Sequence, residues 1–324
     1  MAWLTVFLFL AACSPPTPDA VKSDALHLQP LIAEPGDGTF FAGITQIWIE
    51  NGHYFLADYE NSRILELDAN LQFVRSLGRP GQGPGEFAGL YTFYPNDDGF
   101  YAFSDGHQKM EHFDPAGRFV ATIPLPGTIL LTRFFVLDSL IYLSALKQNV
   151  PIAVFDWHGE RVLEIGVFQE YQNDRVTGAR GGRHVFLVHH GGEPMILSVH
   201  QTAPRVDLYR LDGELVKSQS LDAALPMFRE RIDFIEASYR DPGKQQATYL
   251  LFQDAYVRGH ELYTLAYARS GAAKVILVFD FSSLDFTLKR ACTGANLNAR
   301  AIAVTSEGKI TVYDAESGAI LQEP

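Results

Sequence analysis

Cysteine is almost missing from the chain: there are two in 324 residues, Cys13 and Cys292. Two so widely separated thiols leave no room for a disulfide framework. Basic residues are scarce against acidic ones, 26 against 38, for a net charge of −12. That balance argues against nucleic acid, whose phosphates need a basic footprint. No GxSxG elbow, HExxH helix or phosphate-binding loop occurs in the chain. Apolar runs are short. The opening MAWLTVFLFLAAC is too brief to span a bilayer. The length would allow two ordinary domains, and 47% hydrophobic content affords a large core.

The opening run has the length of a signal-peptide core. Leu10-Ala11-Ala12-Cys13 resembles the bacterial lipoprotein box, although no Lys or Arg precedes the apolar run. The resemblance implies a signal peptide over residues 1–12, a lipid on Cys13 and a mature N-terminus there. Ser14, rather than Asp, implies the outer membrane, facing the periplasm or the cell surface. Residues 13–25, including SPPTPDAVKSDA, read as a flexible tether. With Cys13 lipidated, Cys292 is left as a single thiol in a strand pattern, FTLKRACTG, where it reads as a small buried residue.

Glycine and proline concentrate in LGRPGQGPGEFAGL, residues 77–90. Pro35, Gly36 and Gly38 match Pro80, Gly81 and Gly83 at an offset of 45. Phe41, Ala42 and Gly43 match Phe87, Ala88 and Gly89 at an offset of 46. Such a period signals a repeat architecture. An apolar residue followed by Asp closes a strand pattern six times: Leu67-Asp68, Phe113-Asp114, Phe155-Asp156, Leu211-Asp212, Phe279-Asp280 and Tyr313-Asp314. The aspartates suit the tight turns that follow them. Unit one divides into ITQIWIE, HYFLADY, RILELDA and FVRSLG, and unit two into LYTFYP, FYAFSD, KMEHFD and RFVATIP. The pattern predicts an all-β, six-bladed β-propeller over residues 26–324 with four-stranded antiparallel blades. The last unit lacks one strand and a surplus strand lies at residues 26–34. The N-terminal strand is therefore predicted to complete the last blade.

ADYENSRILELDANLQFVRSLGRPGQGPGEF resembles the NHL repeat. The whole resembles bacterial six-bladed β-propeller lipoproteins with NHL- or TolB-like blades. The match is close over residues 34–120, approximate to 165 and weak beyond. It implies that the Gly/Pro loop carries the chain from one blade's outer edge to the next blade's inner strand, with Phe41 and Phe87 wedged between blades.

Turns between first and second strands, and between third and fourth, are short: ENGH, NDDG, SEG, DANL, DPAG, WHGE and LDGE. The opposite face receives the long segments, Gly78–Glu86, Phe168–Arg183 and Asp222–Thr248. Long loops on a rigid scaffold usually hold the binding residues. Ligand contacts are therefore expected from Tyr59, Arg79, Gln82, Glu86, His107, Gln108, Tyr171, Arg175, Arg180, Arg183 and Arg269, and not from the face around Asp98, Gly117, Gly159 and Gly213. Arg175, Arg180 and Arg183, set among glycines, are the anion candidates. In LPMFRERIDFIEASYRDPG, Phe228, Ile232, Ile235 and Tyr239 share one helical face, with Pro226 in the first turn and Asp241-Pro242-Gly243 as the stop.

His184, His189, His190 and His200 cluster in sequence without a ligand spacing, and adjacent His189 and His190 point to opposite faces of a strand. The expectation is a non-catalytic binding or scaffold module, without cofactor or functional metal. It is expected to be a monomer, anchored through Cys13, that takes a protein, glycan or small ligand. The alternative is a metal-dependent hydrolase or lyase of the lactonase-like propeller type, for which only Glu86 and His184 offer ligands near the inner strands.

Overall fold

The computed structural model describes residues 23–32, 40–104, 108–125, 132–145, 150–167, 182–221, 226–240, 250–267, 274–293 and 297–324. The signal peptide, Cys13 and the tether to residue 22 lie outside them. So do most of the first copy of the Gly/Pro loop and the helix stop at Asp241-Pro242-Gly243.

Six antiparallel sheets form a ring. Blade 1 runs Ile44–Glu50, His53–Asp58, Arg63–Leu67 and Phe73–Leu77, from the axis outward. Blade 2 is built from Leu90–Asn96, Gly99–Ser104, Lys109–Phe113 and Phe119–Pro124. Blade 3 uses Phe135–Leu137, Leu140–Ala145, Val150–Phe155 and Arg161–Ile165. Blade 4 uses Arg183–His190, Glu193–His200, Arg205–Arg210 and Leu215–Ser220. Blade 5 uses Phe252–Arg258, Glu261–Tyr267, Lys274–Asp280 and Thr287–Thr293. Blade 6 uses Ala299–Val304, Ile310–Asp314, Ala319–Gln322 and, from the chain's start, Gln29–Ile32. The innermost strands touch in a closed cycle, 1 to 2 to 3 to 4 to 5 to 6 and back to 1.

Burial explains the sequence texture. Second strands such as Gly99–Ser104 are buried at every position because a blade covers each side. Outer strands such as Phe73–Leu77 expose most of their positions. The predicted ring closure is present: Gln29, Pro30 and Ile32 pair antiparallel with Gln322, Leu321 and Ile320. Pro30 is tolerated because this is an edge strand. The tether prediction differs at its end. Ser23–Ala25 adds a fifth strand to blade 5, parallel to Ala291–Thr293. Its pairing is made by backbone groups on an open sheet edge, which composition does not reveal.

The turn aspartates act as expected. Asp68 Oδ1 accepts the Asn70 and Gln72 amides at 2.8 and 2.9 Å, and Asp156 Oδ1 those of His158 and Glu160. Blade 4 departs from the sequence alignment. Its third strand ends at Tyr209-Arg210, the Arg210 amide donates to the Glu214 carbonyl, and Leu211-Asp212 lies inside the turn. Two apolar–polar pairs stand two residues apart there, and the strand ends at the earlier one.

The Gly/Pro loop is tight for a steric reason. At Gly78, φ +76°, a Cβ would stand 2.0 Å from the Phe87 ring. At Gly81, φ +152°, it would stand 2.1 Å from the Glu86 carboxylate. Phe87, 1% exposed, fills the seam and packs 6.0 Å from Phe113. The helix Pro226–Arg240 buries Phe228 and Ile235 against blades 4 and 5, with Phe228 edge-on to Phe252 at 5.2 Å. Ile232 and Tyr239 pack beside them, so the predicted face is the packed one. Among the described residues, no helix is long and apolar enough to cross a membrane.

Deleting residues 23–32 leaves blade 6 with a bare edge and blade 5 without its outermost strand. The expected outcome is loss of the cooperative melting transition by circular dichroism; a deletion melting at the full chain's temperature would contradict the closure.

Candidate functional site

At the axis, charge appears where sequence texture suggests only core. Arg133 precedes the inner strand of blade 3 and Asp254 sits on that of blade 5, beside a register shift between Phe252 and Asp254. Each is 4% exposed. The guanidinium meets the carboxylate in a two-pronged contact, Nε to Oδ1 at 2.8 Å and Nη2 to Oδ2 at 2.7 Å. Arg133 Nη1 donates to the Ile47 carbonyl at 3.2 Å and Nη2 to the Ile302 carbonyl at 2.9 Å. Asp254 Oδ2 accepts the Ile302 amide at 3.0 Å. The Arg133 main chain donates to His184 Nδ1 at 3.3 Å and accepts the Val185 amide at 2.9 Å. One ion pair thus joins blades 1, 3, 5 and 6 across the axis, and its backbone adds blade 4.

Gln46 makes the remaining link. Its Nε2 donates to the Phe93 carbonyl at 2.7 Å, and its Oε1 accepts from Thr92 Oγ1 and the Phe93 amide at 2.8 and 2.9 Å, so blade 1 is stitched to blade 2. His184 must be neutral to accept at Nδ1. Burial pushes its pKa down to about 4, opposed by the Asp254 charge and assisted by that of Arg133.

Against this floor lies a cavity of about 440 Å³. Trp48, Tyr94, Phe134, Phe186 and Tyr256 wall it, one from each of blades 1 to 5. The rings form an edge-packed arc: Trp48 stands 5.7 Å from Tyr94 and 6.0 Å from Tyr256, and Tyr94 stands 6.2 Å from Phe134. Gly191-Gly192 and Gly259-His260, turns between first and second strands, form the rim. The cavity therefore opens on the short-turn face. A small site lined by Thr45, Thr92, Thr132 and Gln253 lies at the other side of the Arg133–Asp254 barrier, with only about 10 Å³ of free volume.

The loop-face residues named from sequence are placed as follows. Arg79 and Glu86 pair at 2.8 Å, and Glu86 also accepts the Gly83 amide at 2.8 Å. That amide, with Arg79, holds the carboxyl below its usual range. Gln82 is exposed at the loop's tip. Gln108, at φ +51°, neighbours it, since Lys109 Nζ reaches the Gly83 carbonyl at 2.8 Å. Tyr59 is half-buried, edge-on to Tyr91 at 6.1 Å. These five gather at the junction of blades 1 and 2. Arg183 is buried on blade 4. His107, Tyr171, Arg175, Arg180 and Arg269 lie outside the described residues. The four clustered histidines disperse: His184 to the axis, His189 to the cavity, His190 beside His260 at 6.4 Å, and His200 onto Asp207 at 2.7 Å. Among the described residues, no three His, Cys, Asp or Glu side chains are placed to share a metal. Sequence reasoning missed Arg133 and Asp254. The available signal was one charge inside each of two apolar stretches, LLTRFFVL and LLFQDAYV.

No protein-family profile matches the chain, and no curated protein matches its sequence. Solved structures do. A protein assigned as exported in Bacteroides fragilis NCTC 9343 aligns with a TM-score of 0.60 at 14% identity, over 94% of this chain and 96% of that one. A DUF4221 member from Bacteroides vulgatus aligns at 0.59 and 12% identity, over 94% and 98%. A streptogramin B lyase aligns at 0.53 and 11% identity, over 91% and 96%. At these identities the likeness establishes the propeller fold.

Removing one member of the central pair strands a buried charge, so Arg133→Ala or Asp254→Ala should each cost about 3–5 kcal/mol. The double change Arg133→Met with Asp254→Leu should cost clearly less than the sum of the singles. Urea unfolding midpoints measure this; additive singles and double would refute the coupling.

Protonation supplies a second test. His184 and His200 are both held down to about 4 by burial, below the ordinary histidine value near 6.5. The unfolded chain binds more protons between these limits, so stability should fall as pH drops from about 6.5 to about 4. His184→Gln should flatten that slope in urea titrations across this range; an unchanged slope would contradict it.

Proposed function

We propose that this chain is a ligand-binding propeller whose ligand is small, uncharged and aromatic or flat, held at the channel mouth on the short-turn face. The observation that carries this reading is the aromatic arc over a sealed floor. Five aromatic side chains from different blades converge on one concavity of drug-like size, a form that favours small ligands. A flat ligand gains edge and face contacts there. The floor's charges neutralise each other, so a charged ligand would gain no counter-charge for its lost hydration.

On this reading the Arg79–Glu86 loop is a brace that sets the spacing of blades 1 and 2, and the ligand-facing residues lie on the opposite face. The lipid on Cys13, the outer-membrane address and the NHL-like ancestry of the blades belong to the same proposal. They rest on the lipoprotein-like box and on the repeat in residues 34–120. The fold likeness to a protein assigned as exported is in keeping with an envelope location.

The chain's three tryptophans are Trp3, Trp48 and Trp157. In a Trp157→Phe background, Trp48 reports on the cavity. Titration with flavone and p-nitrobenzyl alcohol should quench it saturably. Tyr256→Ala should weaken binding by about tenfold, roughly 1.4 kcal/mol, whereas Arg79→Ala should leave it unchanged. Absence of saturable quenching by either compound, or loss of binding in Arg79→Ala, would overturn the proposal.

A further inference from the structure

A second cavity, of about 360 Å³, opens beside the axial one and on the same face. Asn51-Gly52 of blade 1 and Ser306-Glu307 of blade 6 form its rim, and both turns join a first strand to a second. Tyr256 and Val257, on the inner strand of blade 5, line both cavities. Trp48 and Ile49 are neighbours on the inner strand of blade 1, so their side chains take opposite faces. Trp48 lines the first cavity and Ile49 the second. The two cavities therefore share a wall.

The chemistry changes across that wall. The axial cavity is ringed by aromatic side chains, whereas the second sets polar groups among apolar ones. Gln322 Nε2 donates to the Tyr54 hydroxyl at 3.1 Å and to Thr311 Oγ1 at 2.8 Å. Both amide hydrogens are thereby used, and Oε1 is left to accept. The Tyr54 hydroxyl accepts that bond and keeps its own hydrogen to donate. Thr305 Oγ1 accepts the Lys309 amide at 3.2 Å and likewise keeps its hydrogen. Tyr54 and Thr305 are each 8% exposed. Three groups lining the cavity are thus fixed by bonds within the protein and retain hydrogen-bonding capacity.

The rest of the lining narrows the ligand. Arg258, whose Nη2 donates to the Ser306 carbonyl, and Glu307 carry opposite charges, so the described lining has no net charge. Ile49, Val257 and Val304 supply an apolar patch. Donors and an acceptor beside an apolar patch match a ring with hydroxyls on its edge and C–H groups on its face, because a hydroxyl both donates and accepts. An aliphatic chain would dehydrate the two buried hydroxyls without replacing their bonds to water.

We propose that this cleft is a sugar subsite of the axial cavity, and that the ligand is an uncharged aryl glycoside. Its aromatic group lies among Trp48, Tyr94 and Tyr256, and its sugar lies against Tyr54, Thr305 and Gln322. The inference rests on the aromatic reading of the axial cavity and adds the second half of the ligand. Joining the two halves makes the second contact intramolecular, so the glycoside gains affinity that neither half has alone.

The experiment is Trp48 quenching of the full chain in the Trp157→Phe background, with p-nitrobenzyl alcohol, its β-D-glucoside and its hexyl ether. The glucoside should bind about tenfold more tightly than the alcohol, or better. The hexyl ether adds bulk without hydroxyls and should stay within about threefold of the alcohol. Tyr54→Phe should weaken the glucoside about fivefold and leave the alcohol unchanged. That change also removes a bond to Gln322, so Asn51→Gly is the second variant: Asn51 is exposed on the rim, and glycine suits its φ of +51°. It should weaken the glucoside about threefold without lowering the melting temperature. If the alcohol binds and the glucoside is no tighter, or the hexyl ether gains as much as the glucoside, the sugar subsite falls while the aromatic site stands. Glucoside binding unchanged in both variants also overturns the subsite. If neither alcohol nor glucoside quenches Trp48, both readings fall.

Discussion

The ring hangs on the ion pair between Arg133 and Asp254. A propeller's inner strands converge on an axis where side chains from six directions must either pack or leave a channel. Here one guanidinium spans that space. It satisfies a carboxylate on blade 5 and carbonyls on blades 1 and 6, while its backbone bonds to blade 4. Neither charge could be buried alone, since an isolated ion in this core would lose its hydration without return. Paired, with every nitrogen of the guanidinium bonded, they tie blades 1, 5 and 6 together at the axis.

The same pair gives the molecule two unequal faces. Among the described residues, about 440 Å³ remains open on one side of it, under five aromatic rings, and a site of about 10 Å³ lies on the other. The loop-rich face spends its glycines, prolines and the Arg79–Glu86 contact on holding a sharp crossing between blades. The cavity at the axis follows the side chains at the ends of the inner strands. Trp48, Tyr94 and Phe186 are large and stand near short glycine-bearing turns that leave the rim low.

Blade 4 shows how a repeat is broken for a reason that periodicity hides. Its third strand has apolar–polar pairs at Tyr209-Arg210 and Leu211-Asp212, and only the first sits at the strand end. The second pair, taken as the strand end, places the turn two residues too late. A shift of two preserves which face each side chain takes, so the predicted strand survived while the turn moved. Asp207 accepts from Arg205, two residues before it on the same strand, and from His200 on the neighbouring strand.

The sequence by itself determined the blade count, the four-strand rhythm, the aspartate turns, the Gly/Pro crossing and the closure of blade 6 by Gln29–Ile32. All of these arise from local chemistry: two-residue alternation, turn residues at fixed offsets and a period near 46 residues. It also marked the packed face of the helix, through the spacing of Phe228, Ile232, Ile235 and Tyr239. Tertiary structure alone decided that Arg133 meets Asp254, 121 residues away, that the aromatic residues share one cavity, and that Ser23–Ala25 extends blade 5. The physical reason is that ring closure sets these neighbours. The side chains that converge on the axis recur once per blade, in strands that otherwise look alike. Their meeting depends on register and bulges such as the one beside Asp254, which no local pattern encodes.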